Sequence, residues 1–283
     1  MNPENTVSAF FGPFSVAFVS SYSAFINHLK NFFSGYESDR KPDFTINIFP
    51  SDKLPPPVIN SQKIGICLVG GEDSFSIGAD LIRGVFDFSR KECSITIHKD
   101  FFNFPLVDVF HSFLERFYHT LCKYTSLKSF FIHGCGVVRE NSGYIFIGPH
   151  HSGKTTIGQL SWSPVLHDER IILLHDQKGF AIDSPPFLST LRHHPFKPLL
   201  LERIYLIVKD SITIAKKAAP VLALRGLYNE LVLPLTLSCS EGTNERFKKG
   251  MICFDIYKNV SMYELHFDKT GNIWSTIADM HSG

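Results

Sequence analysis

The chain has 283 residues, enough to bury a sizeable core in one large domain or two smaller ones, and its pattern favours two. Lys and Arg number 28 against 27 for Asp and Glu, so no global field draws the protein onto nucleic acid or a membrane, and partners must be recognised locally. A hydrophobic content of 44% is that of a globular protein, and the 27 phenylalanines point to cores filled by aromatic rings.

No window reaches the roughly 18 apolar residues of a membrane span. The first residues lack a basic segment followed by an apolar run and a small-residue cleavage site, so a cytoplasmic location is expected. The six cysteines (Cys67, Cys93, Cys122, Cys135, Cys239, Cys253) form no C-x-x-C pair and read as buried reduced thiols rather than disulfides or zinc ligands.

Residues 14–20 read as a strand and 24–33 as a helix, because Phe25, Leu29, Phe32 and Phe33 recur at helical spacing. Residues 43–49 alternate Phe44, Ile46 and Ile48, the period of a half-buried strand. The prolines within 53–57 require a loop, and 64–69 returns to strand. Two short strands, 84–89 and 94–98, are joined by the polar Arg90, Lys91 and Glu92. These residues form an α+β N-terminal module without a catalytic constellation, which either recognises substrate or caps the C-terminal part of the chain.

Pro105 suits a first helical turn, and Leu106, Val109, Phe110, Phe113, Leu114, Phe117 and Leu121 then fall at i, i+3, i+4, i+7 spacing. That stripe reads as a core face. A domain boundary is expected near residues 100–128, and is taken as 1–104 and 105–283.

Residues 130–138 read as a strand, 139–143 as a polar turn, and Tyr144, Ile145, Phe146 and Ile147 as a second strand buried on both faces. Gly148, Pro149, His150, His151, Ser152, Gly153, Lys154 and Thr155 then complete the pattern G-x-x-x-x-G-K-[ST], with Thr156 following. Gly148 permits a sharp exit, and a helix opening at Gly153 presents unpaired N–H groups to a di- or triphosphate. Lys154 would reach the β- and γ-phosphates and the Thr155 hydroxyl would ligate Mg²⁺. The alternative for the same residues is a glycine-rich turn joining a core strand to a helix.

Residues 155–160 should be helical and 161–164 should end that helix. Val165 and Leu166 lead into His167, Asp168 and Glu169, and 171–174 continue as strand. Acids at such a strand end lie opposite a phosphate loop, where a carboxylate meets Mg²⁺ or its water; the alternative is solvated turn residues. Residues 184–187, with two prolines, leave regular structure. His193 and His194 are adjacent and lack ligand spacing, so they read as surface or substrate-side residues. The tail reads as a strand at 202–208, a helix at 215–228 interrupted by Pro220, strands at 251–257 and 262–267, and a short helix packed by Trp274.

Phe131-Ile132-His133-Gly134-Cys135-Gly136-Val137-Val138, the phosphate loop, and Val165-Leu166-His167-Asp168-Glu169-Arg170 together resemble the HPr kinase/phosphorylase family and its HPr-kinase-like relatives. The likeness covers roughly residues 128–210. It implies an α/β P-loop kinase core, a mixed sheet with flanking helices of the HPr-kinase/PEP-carboxykinase-like kind, behind the α+β module. It further implies transfer of the γ-phosphoryl of ATP to a hydroxyl, serine above all, of a protein, peptide or small molecule. By position Asp168 would take the hydroxyl proton, His133 would sit beside it and tune it, and Thr155 and Glu169 would hold Mg²⁺. Family members are often hexamers, so a homo-oligomer is implied as well.

Two features depart from the family. His150 and His151 occupy a bend that usually carries small residues, where an imidazole either narrows the cradle or adds a donor to it. The family's later acidic signature is not recognisable in residues 184–194. A non-catalytic nucleotide sensor and a phosphorylase running the reverse reaction therefore stand as alternatives to the kinase.

Overall fold

A computed structural model of the protein describes residues 5–54, 66–67, 74–77, 82–101, 107–193, 197–233, 243–269 and 273–279. It divides into two compact units, Met1–Ser126 with Pro186–Leu188, and Leu127–Pro185 with Ser189–Gly283. Both are α/β, each a mixed sheet with helices packed on it.

In the first unit, strands β1 (Thr6–Phe11), β2 (Phe14–Ser20), β3 (Phe44–Ser51), β4 (Ile66–Cys67), β5 (Ser74–Ile77), β6 (Ile82–Asp87) and β7 (Glu92–His98) lie in the order β1-β2-β3-β7-β6-β5-β4. Helix α1 (Ser23–Phe32) buries Phe25, Ile26, Leu29 and Phe32, the spacing expected of it. Phe44, Ile46 and Ile48 of β3 are buried while Phe49 is exposed, as alternation requires. The expected strand at 64–69 is described only at Ile66 and Cys67, and Pro105 and Leu106 lie outside the described residues.

Helix α2 (Val107–Thr125) turns its aromatic stripe onto this sheet. Phe117 meets Phe44 at 5.4 Å between ring centroids, Tyr118 meets Phe11 at 5.1 Å, and Phe110 meets Phe32 of α1 at 5.2 Å. The division after Ser126 therefore differs from the expected 104/105, because the helix belongs to the core its rings fill. Phe187 joins the same core, 5.8 Å from Phe11 and 5.1 Å from His111.

The second unit is built on β8 (Ser129–Arg139), whose halves serve different neighbours. Residues Ser129 to His133 pair with β11 (Arg170–Asp176), and Gly134 to Arg139 pair with β9 (Ser142–Ile147). β11 pairs with β12 (Gly179–Asp183), β12 with the start of β13 (Leu199–Lys209), and β13 runs parallel to β9, so the pairings return to β8. Outside this circuit, β10 (Val165–His167) and β15 (Leu231–Val232) flank β8, and β16 (Ser261–Phe267) joins β13 to the edge strand β14 (Ile214–Lys217). Ile145 and Ile147 of β9 enter one core with Leu227 of α4 (Pro220–Glu230) and Ile256 of α5 (Thr243–Asn259). Phe146 enters the other with Ile157 of α3 (Lys154–Leu160) and Trp274 and Ile277 of α6 (Ile273–Asp279). Both faces of β9 are covered, which its apolar run demands.

Two expectations for the tail are corrected. Pro220 opens α4 instead of interrupting a helix, since its fixed φ and missing N–H suit a first helical position, and residues 214–217 are strand. Residues 251–257 belong to α5 rather than to a strand. Cys253, Ile256 and Val260 are buried while Met251 and Phe254 are about half exposed, a period of 3.6 and not 2. Among the described residues no helix is long and apolar enough to cross a membrane. Burial pushes the Cys253 thiol up to about 11 and those of Cys93 and Cys135 further, which leaves them poor nucleophiles at neutral pH.

Candidate functional site

β9 ends at Ile147 between Gly134 of β8 and Leu206 of the parallel β13. The loop 148–153 thus leaves the carboxyl end of a strand paired on both sides and leads into α3. A Cβ at Gly148 would lie 2.9 Å from Ser152 Oγ and 3.1 Å from its Cβ, so a side chain there would have to displace Ser152. The loop closes through Ser152 N–H donating to Pro149 O at 3.1 Å, and its turn uses two left-handed residues, His151 at φ 62° and Gly153 at φ 107°. The first amide returned to the backbone beyond it is that of Ile157, to Gly153 O at 2.8 Å. α3 is only seven residues long, so the side chains carry most of the argument.

Lys154 is 9% exposed, and its Nζ donates to Gly148 O at 2.7 Å and Pro149 O at 3.1 Å, spanning the loop from its end to its beginning. Burial holds its pKa below the usual lysine value, opposed by the negative charges of Glu230 and Glu169. Ser152 Oγ is buried and has no hydrogen-bond partner among the described residues. A buried hydroxyl without a partner costs free energy unless something else supplies one.

Thr155 Oγ1 donates to Asp168 Oδ2 at 2.8 Å. Asp168 is buried, and its Oδ1 accepts from Ser189 Oγ and from Leu191 N–H at 3.3 Å. The turn that presents it is fixed by His167, whose Nδ1 accepts from the amides of Glu169 at 3.1 Å and Arg170 at 2.9 Å. Glu169 itself is exposed, and its carbonyl accepts from Gly134 N–H at 3.1 Å.

The resemblance paired His133 with Asp168, but the hydrogen-bond partner of its Nδ1 is Glu230 Oε2, at 2.8 Å. β15 continues directly from α4 and pairs Leu231 with Ile132, which carries Glu230 alongside His133. The His133 ring lies 5.7 Å from that of His150, and His150 lies 5.7 Å from His151. His150 and His151 are both exposed, so the loop lifts these imidazoles off its floor.

Residues 184–193 hold no acidic signature, yet Ser184 and His193 bond to β10 and Ser189 to the turn after it. Ser184 Oγ donates to Leu166 O at 2.6 Å, His193 N–H donates to the same carbonyl at 2.9 Å, and Ser189 reaches Asp168. His193 is exposed; His194 lies outside the described residues. Sequence reasoning missed Glu230, Ser189 and the bonding of His167. Glu230 carries no local signal, because its partner is 97 positions away in the chain.

The Thr155 hydroxyl and the Asp168 carboxylate, with exposed Glu169 beside them, are oxygen donors of the kind Mg²⁺ takes. Among the described residues no group of three His, Cys, Asp or Glu side chains could hold a metal by itself. One or two protein oxygens completed by phosphate and water are what Mg²⁺ uses in nucleotide sites, so the residues fit that ion. The sequence matches no protein-family model and no curated protein.

Proposed function

We propose that the second unit binds ATP with Mg²⁺ and transfers the γ-phosphoryl to a hydroxyl of a protein, peptide or small molecule, as a P-loop kinase of the HPr-kinase-like kind. The observation that carries this reading is the Thr155–Asp168 hydrogen bond, which joins the end of the phosphate-loop pattern to the acidic pair downstream of it. Lys154 supplies a charge-assisted contact for the phosphates, and the partnerless Ser152 hydroxyl supplies a donor within the same loop. Mg²⁺, when bound at Thr155 and Asp168, neutralises charge on the β- and γ-phosphates. The chain's own residues then orient the phosphates and the acceptor, which is most of what phosphoryl transfer asks of a protein.

The test is calorimetry with ATP and MgCl₂, followed by labelled ATP with candidate hydroxyl acceptors. Micromolar to millimolar binding with label transfer is the expected result. Binding without transfer to any acceptor or to water would replace the kinase by a nucleotide sensor, and absence of binding would remove the phosphate-loop assignment.

A further inference from the structure

Glu230 holds the His133 imidazole from one side. An ionised carboxylate accepts and does not donate, so the proton of this bond sits on Nδ1 and the lone pair of the neutral ring is on Nε2. The two side chains are 20% and 11% exposed, which limits competition from water for Nδ1. The His133 ring is 5.7 Å from that of His150, which places the pair beside the loop, and the negative charge of Glu230 opposes the effect of burial on Lys154. Asp168, in contrast, accepts from Thr155, Ser189 and Leu191, which turns its carboxylate towards the Thr155 hydroxyl and leaves it one accepting site for a metal on that side.

Resting on the nucleotide reading above, we infer that His133 is the general base of the transfer and that Glu230 is its positioning residue, while Asp168 serves the metal side. A base oriented by a third group is the arrangement that activates a hydroxyl. The acceptor oxygen bonds to the γ-phosphorus as the bond from that phosphorus to the β-phosphate oxygen breaks, its electron pair leaving on the nucleoside diphosphate. The hydroxyl proton passes to Nε2, the imidazolium is balanced by the Glu230 carboxylate, and the proton then returns to solvent.

Full-length protein with MgATP, and water as the acceptor hydroxyl, tests this without a known substrate. Glu230→Leu removes the acceptor of Nδ1–H; Glu230→Gln keeps an acceptor oxygen without the charge. Nitrogen-15 spectra of the imidazole should show the Nδ1–H form in the unaltered protein, its loss in Glu230→Leu and its partial return in Glu230→Gln. Phosphate release should fall at least tenfold in Glu230→Leu and His133→Gln, with Glu230→Gln between. ATP affinity of Glu230→Leu should be unchanged or tighter, because a negative charge near Lys154 has gone; general damage would weaken binding and turnover together. The inference is overturned by an unchanged tautomer in Glu230→Leu, by full phosphate release in His133→Gln, or by ATP that binds the unaltered protein without release of phosphate. Failure of the nucleotide reading shows separately, as no ATP binding by the unaltered protein, and removes both.

Discussion

Thr155 and Asp168 are joined by a 2.8 Å hydrogen bond between side chains that come from the start of α3 and the turn after β10. Asp168→Asn keeps an oxygen that can accept from Thr155 and loses the charge. ATP affinity measured with Mg²⁺ should fall about tenfold, roughly 1.4 kcal/mol, towards the value measured with chelator. Turnover should drop by about two orders of magnitude or more, as expected when positioned charge is removed from a transition state. An Asp168→Asn protein that still binds ATP more tightly with Mg²⁺ than without it would remove Asp168 from the metal side.

Lys154→Ala should weaken ATP binding at least tenfold, because a charge-assisted contact to phosphate is lost. The alkaline side of the affinity profile carries a second expectation. Burial lowers the pKa of Lys154, so its charge disappears at a lower pH than that of an exposed lysine. ATP affinity should therefore begin to decline below the ordinary lysine range, and Lys154→Arg should hold its affinity to higher pH. Calorimetry across pH 7 to about 10, a range set by the reference lysine value, decides this. A flat profile for the unaltered protein would contradict it.

His151 stands at φ 62° with an exposed ring. A left-handed conformation disfavours any residue with a Cβ by about 1–2 kcal/mol, part of which glycine returns through its freer unfolded chain. His151→Gly should raise stability by up to about 1 kcal/mol in urea unfolding and leave ATP affinity within a few-fold. Markedly tighter ATP binding would show instead that the imidazole obstructs the cradle.

Asp183 is buried at the end of β12, and desolvation raises its carboxyl to about 7 against the stabilising donation from Ser184 N–H. The folded state keeps this proton between about pH 4 and 7 while the unfolded chain loses it, so stability falls as pH rises through that window. The fall is a few kcal/mol at most, at about 1.4 kcal/mol per tenfold change in proton affinity. Asp183→Asn should match the unaltered protein near pH 4 and be the more stable of the two at pH 8. Urea midpoints at the two pH values check it, and parallel pH dependences would refute it.

Local signals were sufficient wherever one segment carries its own constraint. The apolar run of β9, the amphipathic spacing of α1 and α2, and the tight glycine-flanked loop between β9 and α3 are legible because periodicity and glycine geometry act over a few residues. The same locality explains the two errors in the tail. A short apolar run such as 251–257 suits strand or helix until a neighbouring surface shows which residues it buries, and Pro220 is a breaker or an opener according to where the preceding strand ends.

The sequence by itself determined that a strand, a glycine-flanked loop ending in Lys154 and Thr155, and an acidic pair succeed one another along the chain, because each depends on adjacent residues. Only the tertiary structure decided which acid meets which side chain. Pairing of β15 with β8 sets Glu230 against His133, and the turn after β10 sets Asp168 against Thr155. A hydrogen bond constrains distance in space and leaves separation along the chain free, so a partner 97 positions away writes nothing into the sequence around His133.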